Sequence, residues 1–67
     1  SSIRRWVAQN LNTPIELLKK LTKDESVDVR REIAKNPNTP VESLEELAKD
    51  QDRHIRREVA WKRFFHF

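Results

Sequence analysis

The amino-acid sequence predicts an all-α fold, a helical-repeat solenoid fragment with no sheet, and three observations carry the prediction. The chain aligns with itself at a shift of 26 residues, and 12 of the 24 positions paired between 3–26 and 29–52 are identical. A fixed period of that size marks stacked supersecondary units, none of which buries its apolar face alone. Within each unit apolar residues recur at helical spacing. Between the two helical stretches of each unit stands Asn-Thr-Pro, at Asn12-Thr13-Pro14 and again at Asn38-Thr39-Pro40, a combination that ends one helix and starts the next.

The period divides the chain into a first unit at 1–26, a second at 27–52, and a half unit with a C-terminal cap at 53–67, together one helical-repeat domain. In the first helix of unit two, Val29, Ile33 and Ala34 share a face, while Arg30, Arg31, Glu32 and Lys35 occupy the remainder, which predicts a half-buried helix. In the second helix, Val41, Leu44, Leu47 and Ala48 form an i, i+3, i+6, i+7 stripe with Glu42, Glu45, Glu46 and Lys49 outside it. Leu18 and Leu21 are the counterparts of Leu44 and Leu47, and the four leucines are expected to close a shared interior.

The connections predict themselves in detail. Pro37 disfavours helix at Asn36, and Asn36 is the best available residue for a left-handed C-terminal cap. Thr39 is then the N-cap of the second helix, with Pro40 at its first position and Glu42 completing a capping box. The same box recurs at Thr13 to Glu16. Leu11 replaces the counterpart of Pro37, so the first turn is expected to be less sharply fixed. Asp24, Asp28, Asp50 and Asp52 place negative charge near the start of each following helix, where the helix dipole favours it. A third copy opens with Ile55, Arg56, Arg57, Glu58, Val59 and Ala60. The pattern is then lost, because Trp61 to His66 stand where Lys, Asn, Pro, Asn, Thr and Pro belong.

Composition removes whole classes of function. With 67 residues the chain is one small domain of marginal stability. It lacks cysteine, which excludes disulfides, thiolate metal sites, iron-sulfur ligation and cysteine nucleophiles. Glycine is absent too, which excludes the Gly-rich loops that cradle phosphates. Hydrophobic residues make up 36% against 37% charged. With no apolar run near the length of a membrane span and no secretory pattern, a soluble, cytoplasmic chain without membrane attachment is expected. The sequence opens without Met and inside a unit, and a longer natural chain is consistent with that. Net charge is +3, and the excess is concentrated at Arg53, Arg56, Arg57, Lys62 and Arg63.

The run from Val29 to Pro40, followed by Leu44, Leu47, Ala48 and Asp50, resembles the leucine-rich repeat variant family, itself more distantly similar to HEAT-type repeats. The resemblance covers residues 3–62. It implies a right-handed superhelix of alternating helices, one of each pair short or of 3₁₀ type, and no enzymatic activity. It also implies that the Arg after the first apolar position pairs with acidic residues of a neighbouring unit, here Arg30 or Arg56 with Asp24, Asp28, Asp50 or Asp52.

Three groups of residues are candidates for function. The pairs Arg4-Arg5, Arg30-Arg31 and Arg56-Arg57 recur once per unit, so stacking lines them up. Such a row either tracks phosphates, with Arg5, Arg31, Arg57, Lys62 and Arg63 as the nucleic-acid-binding candidates, or forms ion pairs between units. The aromatics Trp6, Trp61, Phe64, Phe65 and Phe67 all fall outside the repeat pattern. They read as a cap over the open ends, as a patch for a partner or for homo-oligomerisation through those ends, or, with little area, as a membrane-surface segment. The exposed face with Glu42, Glu45 and Glu46 completes the protein-binding candidates. His54 and His66 show no ligand spacing, Asp50-Gln51-Asp52 lacks the glycine and the closing Glu of a calcium loop, and the serines at 1, 2, 26 and 43 have no base arranged beside them. No metal, cofactor or catalytic residue is expected. The reading is a non-catalytic helical-repeat scaffold for a protein partner, with nucleic-acid binding as the alternative.

Overall fold

The computed structural model describes residues 2–64, with the backbone alone for Phe64. Five helices follow one another: α1 Ser2–Gln9, α2 Ile15–Leu21, α3 Val27–Lys35, α4 Val41–Leu47 and α5 Arg53–Phe64. No strand occurs among the described residues. The first helices of the units stand in one layer, with α3 between α1 and α5; α2 packs on α1 and α3, and α4 on α3 and α5. Ala8, Leu18, Leu21, Val29, Ile33, Ala34, Leu47, Ile55 and Val59 form a single buried cluster that draws on all five helices. No unit owns a core of its own, as expected of units this small.

The α4 stripe departs from expectation. Ser43 and Leu47, one turn apart, are the buried pair; Leu44 is half-buried against the core, and Val41 is 71% exposed. Val41 lies two residues, or about 200°, before Ser43 around the helix, so once α4 seats Ser43 and Leu47 inward Val41 must face out. Of the four leucines expected in the interior, Leu18, Leu21 and Leu47 are buried and Leu44 is at its edge. Both second helices are short, seven residues each, and α-helical.

The expected capping boxes do not form. Helices α2 and α4 begin after Pro14 and Pro40, and neither has a side-chain cap. Thr39 instead turns its hydroxyl back, donating from Oγ1 to the Ile33 carbonyl at 2.6 Å, and Thr13 donates likewise to Val7. The last carbonyls of a helix lack internal partners, so the threonine caps the end of the first helix rather than the start of the second. The Pro40 carbonyl takes the first amides of α4, those of Ser43 and Leu44.

Asn36 is not left-handed either. Its backbone is extended, φ −68° and ψ 123°, as Pro37 requires. The turn is held by the Asn36 side chain, whose Oδ1 accepts from the Asn38 amide at 2.9 Å, with the Thr39 amide donating to the Asn36 carbonyl. Asn10 repeats both bonds with Asn12 and Thr13. The first turn is therefore built like the second, contrary to the expectation drawn from Leu11. The acidic residues between units behave as expected. Asp24 and Asp50 accept from the amides of Ser26 and Asp52, and Asp52 accepts from the amides of His54 and Ile55 at the start of α5.

Candidate functional site

The first arginine of each pair is built into the stack. Arg4 reaches Asp24, Nε to Oδ2 at 2.8 Å, and Arg30 reaches Asp50 at the same distance. Arg30 Nη1 also donates to the carbonyls of Asp24 and Glu25, and Arg56 Nη1 to those of Asp50 and Gln51. Arg30 thus pairs with an acidic residue as expected, while Arg56 holds carbonyls. Partial burial pushes the Asp24 carboxyl upward. The Ser26 amide, the Arg4 hydrogen bond and the charges of Arg4 and Arg30 outweigh it, leaving Asp24 below the usual carboxylate range.

The second arginines sit in mixed surroundings. Arg5 approaches Glu32 at 3.8 Å. Arg31 is half-buried, with an Nε that meets no acceptor, and its charge helps to hold Asp52 low. There too burial pushes upward, and the amides of Ile55 and His54 together with the charges of His54 and Arg31 outweigh it. Arg57 and Arg63 are exposed. Lys62 points inward: its Nζ donates to the Asn36 carbonyl at 2.7 Å, and burial lowers its pKa against the opposing charge of Glu58. The basic candidates do not form one open row.

Asparagines join the units. Asn36 is buried and donates from Nδ2 to the carbonyls of Ala8 at 2.9 Å and Asn10 at 3.2 Å, and Asn38 donates from its side chain to Leu11 at 2.7 Å. Lys62, one period beyond Asn36, makes the corresponding bond to the Asn36 carbonyl. Sequence reading assigned these asparagines to turns and missed the bonds between units. The available signal was their identity in both copies, Asn10 with Asn36 and Asn12 with Asn38.

The apolar candidates gather at one place. A groove of about 620 Å³ opens between α4 and the last turns of α5, floored by Pro37, Val41, Leu44 and Trp61 and rimmed by Glu45 and Arg63. Glu42, Glu45 and Glu46 are exposed along α4. Glu42 bridges to Lys19 of α2 at 2.8 Å, and this hydrogen bond, with the charges of Glu42 and Glu16, raises the Lys19 pKa. Trp6 stands apart on α1. It and Trp61 are 61% and 60% exposed. The Phe64 side chain, Phe65 and Phe67 lie outside the described residues.

Among the described residues no group of three or more His, Cys, Asp or Glu side chains is arranged to hold a metal ion. Among the described residues no helix is long and apolar enough to cross a membrane. No curated protein matches the chain, and no solved structure does. The model of the leucine rich repeat variant family, a non-enzymatic helical repeat, matches residues 27–52. That span is one complete period and contains the α3–α4 pair, so the central repeat of the chain is similar to the leucine rich repeat variant family.

Proposed function

We propose that the chain is a non-catalytic helical-repeat scaffold that binds another protein through the groove between α4 and α5. The groove itself carries the reading. Val41 and Trp61 leave most of their surface in water beside a half-buried Leu44, and apolar surface of this kind, rimmed by charge, is what binding sites retain. Glu45 on its lining gives the groove an electrostatic preference, with Glu42 and Glu46 exposed along the same helix. The remaining aromatic candidate, Trp6, offers a second contact on α1. Selection of a displayed library of short helical peptides against the full chain tests this. Enriched peptides must compete with one another and lose binding to the Val41→Asp chain, whose change is at an exposed position and whose circular dichroism should match that of the unaltered chain. If every enriched peptide binds Val41→Asp as well as the unaltered chain, the groove is not the site.

Nucleic-acid binding is the second reading, favoured by the exposed Arg57 and Arg63 and the net charge of +3. Its mark is affinity that falls steeply with salt and is lost on Arg57→Glu. The inward bond of Lys62 and the acidic neighbours of Arg5 and Arg31 weigh against it.

A further inference from the structure

We infer that the groove accepts an amphipathic helix whose edge carries a lysine or arginine opposite Glu45, a partner helix seated where the second helix of a third unit belongs. The inference rests on the scaffold reading above and names the chemistry of its partner. The repeat supplies the template. One period earlier α4 reaches α2 through the Lys19–Glu42 bridge, and there Leu18 is fully buried. Its counterpart Leu44 is only half-buried, and the exposure of Val41 is 71% against 43% for its counterpart Ile15. On that side of α4 the described residues place the last turns of α5, and the groove lies between the two.

Charge decides which helix. Between α2 and α4, Lys19 bridges to Glu42. Shifted by one period, Lys19 becomes Glu45 and Lys20 becomes Glu46, so the sign presented to the incoming helix is reversed. A helix that repeats α4 unchanged would set a glutamate against Glu45, whereas one with a base at that place recreates the bridge. The same arithmetic disfavours a second copy of this chain docking head to tail. Its α2 would bring Glu16, the counterpart of Glu42, against Glu45, and like charges at contact oppose association.

The test uses two probes made from the template itself, peptides of residues 38–50 stapled on their outer face, because isolated helices this short are marginal in water. One carries Glu42→Lys and the other is unaltered. Titrated with the full chain at low salt and followed by fluorescence polarisation, the Glu42→Lys peptide is expected to bind roughly five- to tenfold more tightly, the range of one exposed pair switched from repulsion to attraction. A Glu45→Lys chain should invert the order, and about 1 M salt should erase it. Equal affinities, or an order that Glu45→Lys does not invert, overturn the inference, as does self-association abolished by Val41→Asp. If both probes fail while uncharged library peptides still bind in a Val41-dependent manner, the charge assignment is wrong and the scaffold reading survives. Library peptides lacking any Val41 dependence remove both.

Discussion

Replacing Asn36 with alanine deletes three hydrogen bonds of two kinds. One, from the Asn38 amide to Oδ1, belongs to the turn; the other two, from Nδ2 to the Ala8 and Asn10 carbonyls, join the units. A hydrogen bond contributes about 1 kcal/mol net, and a buried carbonyl left without its partner costs about 1–3 kcal/mol. Ala8 is fully buried and in the last turn of α1, where helix carbonyls depend on outside donors. Asn36→Ala should therefore cost about 2–4 kcal/mol. Asn10→Ala removes the same turn bond, no bond from its side chain to another unit being shown among the described residues, and should cost about 1 kcal/mol. Against a total stability of about 3–10 kcal/mol for a chain this long, the difference is easily read. Urea unfolding followed by circular dichroism should place the Asn36→Ala midpoint about 1–3 M below that of Asn10→Ala, taking a slope near 1 kcal/mol per molar. Asn36→Asp keeps the turn acceptor but loses the donor, so it should fall at least as far as alanine. Equal midpoints for the Asn36 and Asn10 variants would refute the claim that the amide holds one unit to the next.

The corrected stripe on α4 predicts that Leu47→Ala costs about 2–5 kcal/mol while Val41→Ala leaves the melting temperature within a degree or two of the original; equal losses would restore the stripe read from sequence. Arg30→Ala, which breaks the Asp50 pair and frees two loop carbonyls, should cost about 1–3 kcal/mol. Arg5→Ala, at a longer and exposed pair, should cost less than about 0.5 kcal/mol, and thermal melts compare the two directly. The carboxyls of Asp24 and Asp52 are held below their ordinary range in the fold. Their contribution is complete above the unfolded-state carboxylate range near about pH 4 and is lost as pH falls through the lower folded values. Melting temperature should accordingly decline on acidification below about pH 4, and Asp24→Asn should flatten that limb. A decline of the same steepness in Asp24→Asn would show that Asp24 is not part of it.

The fold was legible wherever one residue type has one physical use. The 26-residue period, the leucines at 18, 21 and 47, and Pro14 and Pro40 at the helix starts each had a single reading, and α1 to α4 stand where those residues place them. Polar residues with two possible partners were misread. A threonine before a proline can donate backward or accept forward, and local spacing displays only the forward partner. Thr13 and Thr39 went backward because the end of the preceding helix lay nearer and needed donors. Asn36 was assigned a backbone role because its side-chain partners lie 26 and 28 residues away, beyond any local pattern. The groove was invisible for a related reason. Val41 and Leu44 look like core in a helical wheel, and only the orientation of α4, fixed by Ser43 and Leu47, leaves them at an open edge.

The three first helices form an internal experiment on what ends a helix here. After α3 stands Asn36-Pro37, and the helix stops; after α1 stands Asn10-Leu11, and it stops at the same place. In α5 the corresponding residues are Lys62-Arg63, and the helix runs on to Phe64. Proline is absent from the second case as well as the third, so it is not what separates them. Asparagine is, because its side chain takes the amide two residues on and closes the turn. A lysine has no acceptor with which to do this. By continuing as a helix, α5 carries Lys62 and Arg63 past the point where the chain turned back in the earlier units, and Arg63 joins Trp61 beside Val41 and Leu44. The loss of one asparagine thus lets α5 run on and brings Arg63 to the rim of the groove, while Lys62 keeps the bond to the preceding unit that the asparagine would have made.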